Sequence, residues 1–241
     1  MKNRHFRRAT FIAAYLVCYG TSVSANSMDE YMEISARYSR GDFASEQTTK
    51  QYQLQVSYGR FLNDFDFSLS SSYIQLKDEL GDDAGFGDIF LRAGTSISND
   101  LASTNDLYAS VEIKLPTADE TSRLGTGEIN LSGFLSYSHR YNQTSFTLTG
   151  GYTITGDSPI QTYEDILVYG VGVSTYFDQW YLYGRLDGQQ QMFNNGTAPL
   201  ELSSGFFYQV KPAEFIKVDG FIGLNDASPD IGFSIGLVHW F

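Results

Sequence analysis

Cysteine is almost missing from this chain of 241 residues, and the one present, Cys18, falls in a segment that reads as a leader. Residues 1–25, MKNRHFRRATFIAAYLVCYGTSVSA, carry a basic start (Lys2, Arg4, Arg7, Arg8), a short apolar core from Phe11 to Tyr19, and the small-residue site Val23-Ser24-Ala25. That pattern predicts a signal peptide and a mature chain from Asn26 to Phe241. Tyr15, Leu16 and Val17 stand where a lipoprotein signal needs small residues, so Cys18 is not read as a lipidation site. The mature chain then has no disulfide, no thiol nucleophile and no cysteine metal ligand.

Long apolar runs are missing too. No stretch approaches the ~20 residues of a membrane-spanning helix, which excludes a helical anchor. Basic charge is scarce: 16 Lys and Arg face 28 Asp and Glu, a formal charge of -12. The leader takes four positive charges and no negative ones with it, leaving about -16 on the mature chain. Such a chain has no electrostatic basis for binding nucleic acid. Histidine is reduced to His139 and His239 once the leader is gone, which leaves little for general-base catalysis.

What the chain has instead is 17 Tyr, 18 Phe and 23 Gly with only 5 Pro. Aromatic and β-branched residues between turn formers predict an all-β fold. Twelve segments alternate in polarity: Tyr31–Ser39, Gln51–Phe61, Phe65–Leu76, Phe86–Ile97, Asp106–Leu115, Gly127–Ser138, Ser145–Thr155, Asp165–Phe177, Gln179–Met192, Leu200–Lys211, Glu214–Asn225 and Asp230–Phe241. Most exceed the ~5–6 residues usual in globular strands and suit the ~9–11 of a tilted membrane strand. Tyr52, Leu54, Val56 and Tyr58 oppose Gln51, Gln53, Gln55, Ser57 and Gly59. Phe146, Leu148, Tyr152 and Ile154 oppose Thr147, Thr149, Thr153 and Thr155.

A soluble sandwich would alternate in the same way with its apolar face inward. The small, hydroxylated and Gly-rich polar face, with the segment length, favours a transmembrane antiparallel up-and-down β-barrel of about 12 strands, apolar outside and polar inside. Tight links at Leu62-Asn63-Asp64, Asp178 and Pro212-Ala213, and moderate ones at Ser98–Asn105 and His139–Thr144, alternate with longer acidic loops: RGDFASEQTTK, KDELGDDAG, PTADETSRLGT and GDSPIQTYED. Short periplasmic turns and long outer loops are the habit of bacterial outer-membrane barrels. An even strand count puts both ends of the mature chain on the periplasmic side.

The chain ends DIGFSIGLVHWF, with Ile231, Phe233, Ile235, Leu237, His239 and Phe241 on one face. A last strand that pairs with the first leaves no edge to fray. Ser234-x-Gly236 followed by terminal Phe241 resembles the signal read by the barrel-assembly machinery, with His239 departing from the apolar residue that signal prefers.

Several ordered motifs look familiar: Gly85-Phe86-Gly87-Asp88, Lys114-Leu115-Pro116-Thr117-Ala118-Asp119, Leu124-Gly125-Thr126-Gly127, Gly150-Gly151-Tyr152 with Gly156-Asp157, and Ser228-Pro229-Asp230 before Gly236. Together, from Gly85 to Phe241, they resemble the outer-membrane β-barrel family named for the MetA pathway of phenol degradation. Ala118 stands where that family tends to have glycine. The resemblance implies a channel or transporter and names no substrate.

Candidate site residues lie on the inward faces as near-neighbour charges: Glu33 with Arg37, Asp88 with Arg92, Glu112 with Lys114, Arg185 with Asp187, and Lys217 with Asp219. Spacings of two or four put each pair on one face. They either line a selective pore or brace a filled interior, and twelve strands fall between barrels that are filled and barrels that hold a channel. The loop carboxylates Asp78, Glu79, Asp82, Asp83, Asp119, Glu120, Asp157, Glu164 and Asp165 either share Ca²⁺ or Mg²⁺ with lipopolysaccharide or form a solvated face, and since their spacing matches no dedicated cation loop the solvated face is the expectation. Gly85-Phe86-Gly87 and Gly125-Thr126-Gly127 lack the Lys-Ser/Thr of a phosphate loop and read as turns. His239 falls on the lipid face and His139 in a periplasmic turn, so no catalytic site, cofactor or metal is assigned. The expected function is passive passage of a small solute, apolar or aromatic if the resemblance holds. A closed structural or loop-presenting barrel is the alternative, and a barrel hydrolase the third.

Overall fold

In a computed structural model, the structure describes residues 29–42, 48–62, 64–79, 81–97, 104–119, 123–156, 164–191 and 197–241. The leader, Glu120 and Asp157 lie outside them.

The strands are β1 (Glu30–Gly41), β2 (Thr49–Leu62), β3 (Phe65–Asp78), β4 (Gly81–Phe86), β5 (Ile89–Ser96), β6 (Asn105–Leu115), β7 (Asn130–Tyr141), β8 (Thr144–Thr155), β9 (Ile166–Phe177), β10 (Trp180–Gln189), β11 (Leu200–Lys211), β12 (Glu214–Gly223) and β13 (Ile231–Trp240). Each pairs antiparallel with its neighbours, and β1 pairs with both β2 and β13. β4 lies on the second half of β3 and β5 on the first half, so these two short strands form one stave interrupted at Gly87-Asp88. The result is a closed ring of twelve staves.

Closure explains the aromatic ending. β13 matches β1 from Tyr31↔Trp240 to Arg40↔Ile231. The Phe241 amide donates to Glu30 O at 2.9 Å, so the last residue is still paired. In hydrocarbon every backbone N–H and C=O needs a partner within the protein, and a ring is the way strands supply one.

Strand parity sorts the side chains. Leu54, Leu148, Phe233 and Leu237 are exposed on the outer face, Leu237 at 64%. Their neighbours Ser132, Ser136, Thr147, Thr153 and Ser234 are buried inside. An apolar exterior with a hydroxyl-rich interior is the inverse of a soluble sandwich. Trp180, its ring tilted against Tyr208 with centroids 4.6 Å apart, adds to an outward aromatic girdle at the end of the ring that carries the short turns.

Four expectations change. β7 runs on to Tyr141, so His139 lies within a strand, outward, where its Nδ1 meets Asn105 Oδ1 at 2.8 Å. The turn is the two residues after it, with Asn142 at φ 55°, as Asp178 is at φ 50° in the next one. Asn and Asp tolerate this left-handed region, which two-residue hairpins require. β7 also begins at Asn130 rather than Gly127. KDELGDDAG is largely a hairpin, Asp78 pairing with Gly81, rather than a loop.

Candidate functional site: the barrel interior

The ten charges expected on inward faces do sit there, but mostly with other partners. Glu33 takes Lys217 at 3.1 Å and Arg37 takes Glu201 at 3.7 Å. Asp88 takes Lys114 at 3.2 Å, and Arg92 takes Glu112 at 3.7 Å while donating to Ser110. Arg185 and Asp187, at 2.5 Å, pair along one strand as expected. Asp219 accepts the Tyr183 hydroxyl at 3.1 Å. Glu201 is a member that same-strand spacing did not reveal.

Missed as well were Asp66 and Tyr108, whose hydroxyl lies 3.1 Å from both carboxylate oxygens. The two Tyr–Asp bonds have one construction. Tyr108 on β6 crosses β5 to Asp66 on β3, passing over Gly94, where a Cβ would overlap the phenol oxygen. Tyr183 on β10 crosses β11 to Asp219 on β12, passing over Gly205, where a Cβ would lie 2.8 Å from that oxygen. Glu33–Lys217 similarly crosses β13 at Gly236. Glycine on the middle stave gives the side chain room to lie flat against the wall. These bonds link staves at most three apart, whereas opposite walls are six apart.

Uncharged panels separate the charged arcs. On β7 and β8, Ser132–Thr153 (2.8 Å), Ser136–Thr149 (3.0 Å) and Ser138–Thr147 (2.9 Å) form a ladder of hydroxyls. On β2 the inward residues are Gln51, Gln53, Gln55 and Ser57. Towards the turn end the interior becomes aromatic. Tyr31, Tyr181, Phe207, Val238 and Trp240 form a buried cluster joined by Phe61, Tyr176, Tyr183 and Phe215.

At the loop end, the described parts of the β6–β7 connection, 116–119 and 123–129, fold inward. The Ala118 amide donates to Asp88 Oδ1 at 3.1 Å, Thr117 Oγ1 donates to Gly87 O at 3.1 Å, and Lys114 Nζ meets Thr126 Oγ1. Leu124 is buried over Gly85, and Gly125 packs on Ala118 and Asp88. The three motifs GFGD, KLPTAD and LGTG thus make one knot, anchored on Asp88.

Arg123 holds the outer side of this strap, 2.6 Å from both Asp78 and Asp83. Hydrogen bonding to Asp78, then to Asp83, raises its guanidinium further above the ordinary value, so it stays charged. Lys77 pairs with Asp82 at 3.5 Å. Asp78 and Asp83 thus belong to ion pairs with Arg123 rather than to a solvated rim, whereas Asp82 stays exposed, as expected. Among the described residues, no group of three or more His, Cys, Asp or Glu could hold a metal ion.

A closed, lipid-facing ring with a polar interior is an outer-membrane β-barrel. Residues 28–241 match the family described as "Putative MetA-pathway of phenol degradation", and the chain belongs to it. The match reaches further towards the N-terminus than the ordered motifs did. No curated protein matches the sequence significantly. Among solved structures, the chain is similar to the KdgM porin (TM-score 0.58, 11% identity, 87% of this chain and 99% of that one). It is similar also to the CymD monoaromatic hydrocarbon channel (0.51, 11%, 88% and 88%) and to the translocator domain of the autotransporter NalP from Neisseria meningitidis (0.59, 10%, 100% and 96%). At such identities the likeness is one of fold.

Proposed function

We propose that the barrel is a passive outer-membrane channel for a small solute. The observation that carries this reading is the direction of the interior bonds: among the described residues, the ion pairs and Tyr–Asp bonds named above follow the wall. A filled barrel of this size would need side chains meeting across the middle. Pairing closes the wall through β5, as between β7 and β8 from Asn130↔Thr155 to Tyr141↔Thr144, which leaves the axis as the path through this part of the ring.

The aromatic cluster at the turn end favours a solute with a ring or apolar part, in keeping with the likeness to the CymD monoaromatic hydrocarbon channel. His139 and His239 both face outward, which leaves the interior without a histidine base and speaks against hydrolysis. The second reading is a closed structural barrel, favoured by the buried cluster at one end and the strap at the other. Single-channel recording of the refolded protein in a planar bilayer decides between them. Stable steps support the channel; folded, inserted protein without steps refutes an open lumen.

A further inference from the structure

The interior carries its charge in two arcs on opposite sides of the ring. One spans β3 to β6 and is centred on β5; the other spans β10 to β13 with β1 and is centred on β12, across the ring from the first. In the first, Arg92 and Lys114 are matched by Glu112 and Asp88, and Asp66 is left over in the count. In the second, three cations are matched by Glu201, Glu33 and Asp187, and Asp219 is left over. Each arc therefore has one carboxylate more than it has cations. In each, the extra carboxylate is the one bonded to a tyrosine hydroxyl over a glycine.

A phenol hydroxyl satisfies a carboxylate's hydrogen bond without cancelling its charge. The hydroxyl ladder of β7–β8 and the glutamines of β2 between the arcs add no charge of either sign. At the turn end Asp106 and Arg140, both placed inward by parity, cancel. At the loop end Arg123 faces both Asp78 and Asp83, which adds another negative charge. Among the described residues these interior charges sum to a net negative. Low-dielectric walls focus such a field into the lumen, and physiological salt screens it only over ~8 Å.

Resting on the channel reading, we infer that the lumen is cation-selective, with Asp66 and Asp219 as residues that set the preference. The solute class it admits is neutral or carries a positive group such as an amine; carboxylates, sulfates and phosphates are disfavoured.

The test is the reversal potential of the full mature protein in a planar bilayer under a KCl gradient. The native protein should pass K⁺ several-fold more readily than Cl⁻. Asp219→Asn should lower that ratio, and Asp66→Asn with Asp219→Asn should bring it towards unity. Each change keeps an oxygen to accept the tyrosine hydroxyl, so the bond survives while the charge goes. Lys217→Gln should move the ratio the other way by exposing Glu33, a response that damage to the fold would not produce. Steps with a native ratio at or below unity overturn the inference and leave the channel standing. A native preference that the double change does not reduce overturns the two residues. Folded protein without any steps refutes the channel and the inference with it.

Discussion

Replacing Trp240 by alanine tests closure of the ring at the position where an open sheet would fray. The side chain is 2% exposed, with ring centroids 5.1 Å from Tyr31 and 5.9 Å from Phe61. Truncating a buried Trp typically costs ~3–5 kcal/mol. Its Nε1 has no hydrogen-bond partner, so no bond is lost, and the desolvation cost of that group, ~1–3 kcal/mol, is relieved. The expected loss is therefore at the lower end, about 3 kcal/mol. Reversible urea unfolding in lipid vesicles measures it, and the other tryptophan, Trp180, remains as the fluorescence probe. A loss below about 1 kcal/mol, typical of a frayed or surface position, would refute the packed, closed terminus.

Gly94→Ala should push Tyr108 off Asp66 and cost ~1.5–3 kcal/mol, the range for a charged hydrogen bond. Gly205→Ala should cost at least as much, because its Cβ also meets the Val218 carbonyl oxygen at 2.5 Å and the Asp219 Cβ at 2.6 Å. The outward Gly133, with nothing within 4 Å of an added Cβ, is the control, and its alanine variant should be neutral or slightly stabilising in the same unfolding assay. Removing the strap's anchor with Asp88→Ala and Lys114→Met together takes away both charges and so avoids a lone buried one. The single-channel step should enlarge; an unchanged step would show that the strap does not narrow the lumen. Phe241 is outward and touches the His239 ring at 4.8 Å, so Phe241→Asp should alter unfolding free energy by less than about 1 kcal/mol while lowering the yield of assembled barrel in cells. Equal yields of the two proteins would remove Phe241, and with it the proposal that Gly236 and Phe241 form the assembly signal.

The ring was legible because strand parity is written in single residues. Leu148 between Thr147 and Thr149 assigns three faces without any knowledge of neighbours. Partners were not legible, because spacing along one strand says which face a charge shares and nothing about which stave comes beside it. Glu33 meets Lys217, 184 residues away, rather than Arg37 four residues on, and only the β1–β13–β12 register brings them together. The glycines were visible as composition but acquired meaning only from what crosses them. A signal for the inward strap was present in Leu124, an apolar residue amid an acidic loop, beside the small residues Gly125 and Gly85. His139 was misplaced because the turn was drawn around it, although Asn142 was the residue suited to left-handed φ.

The same interior charges brace the wall and colour the pore, and this couples stability to selectivity. Changing one member of Lys114–Asp88, whose side chains are 10% and 7% exposed, alters the lumen field only by stranding its partner. Breaking a buried pair in that way is strongly destabilising. Asp66 and Asp219 escape the constraint. A neutral hydroxyl holds each, so an amide can replace the carboxylate and keep the bond while the charge disappears. In this architecture selectivity can change at the tyrosine-held acids with little loss of stability, and at the ion pairs it cannot.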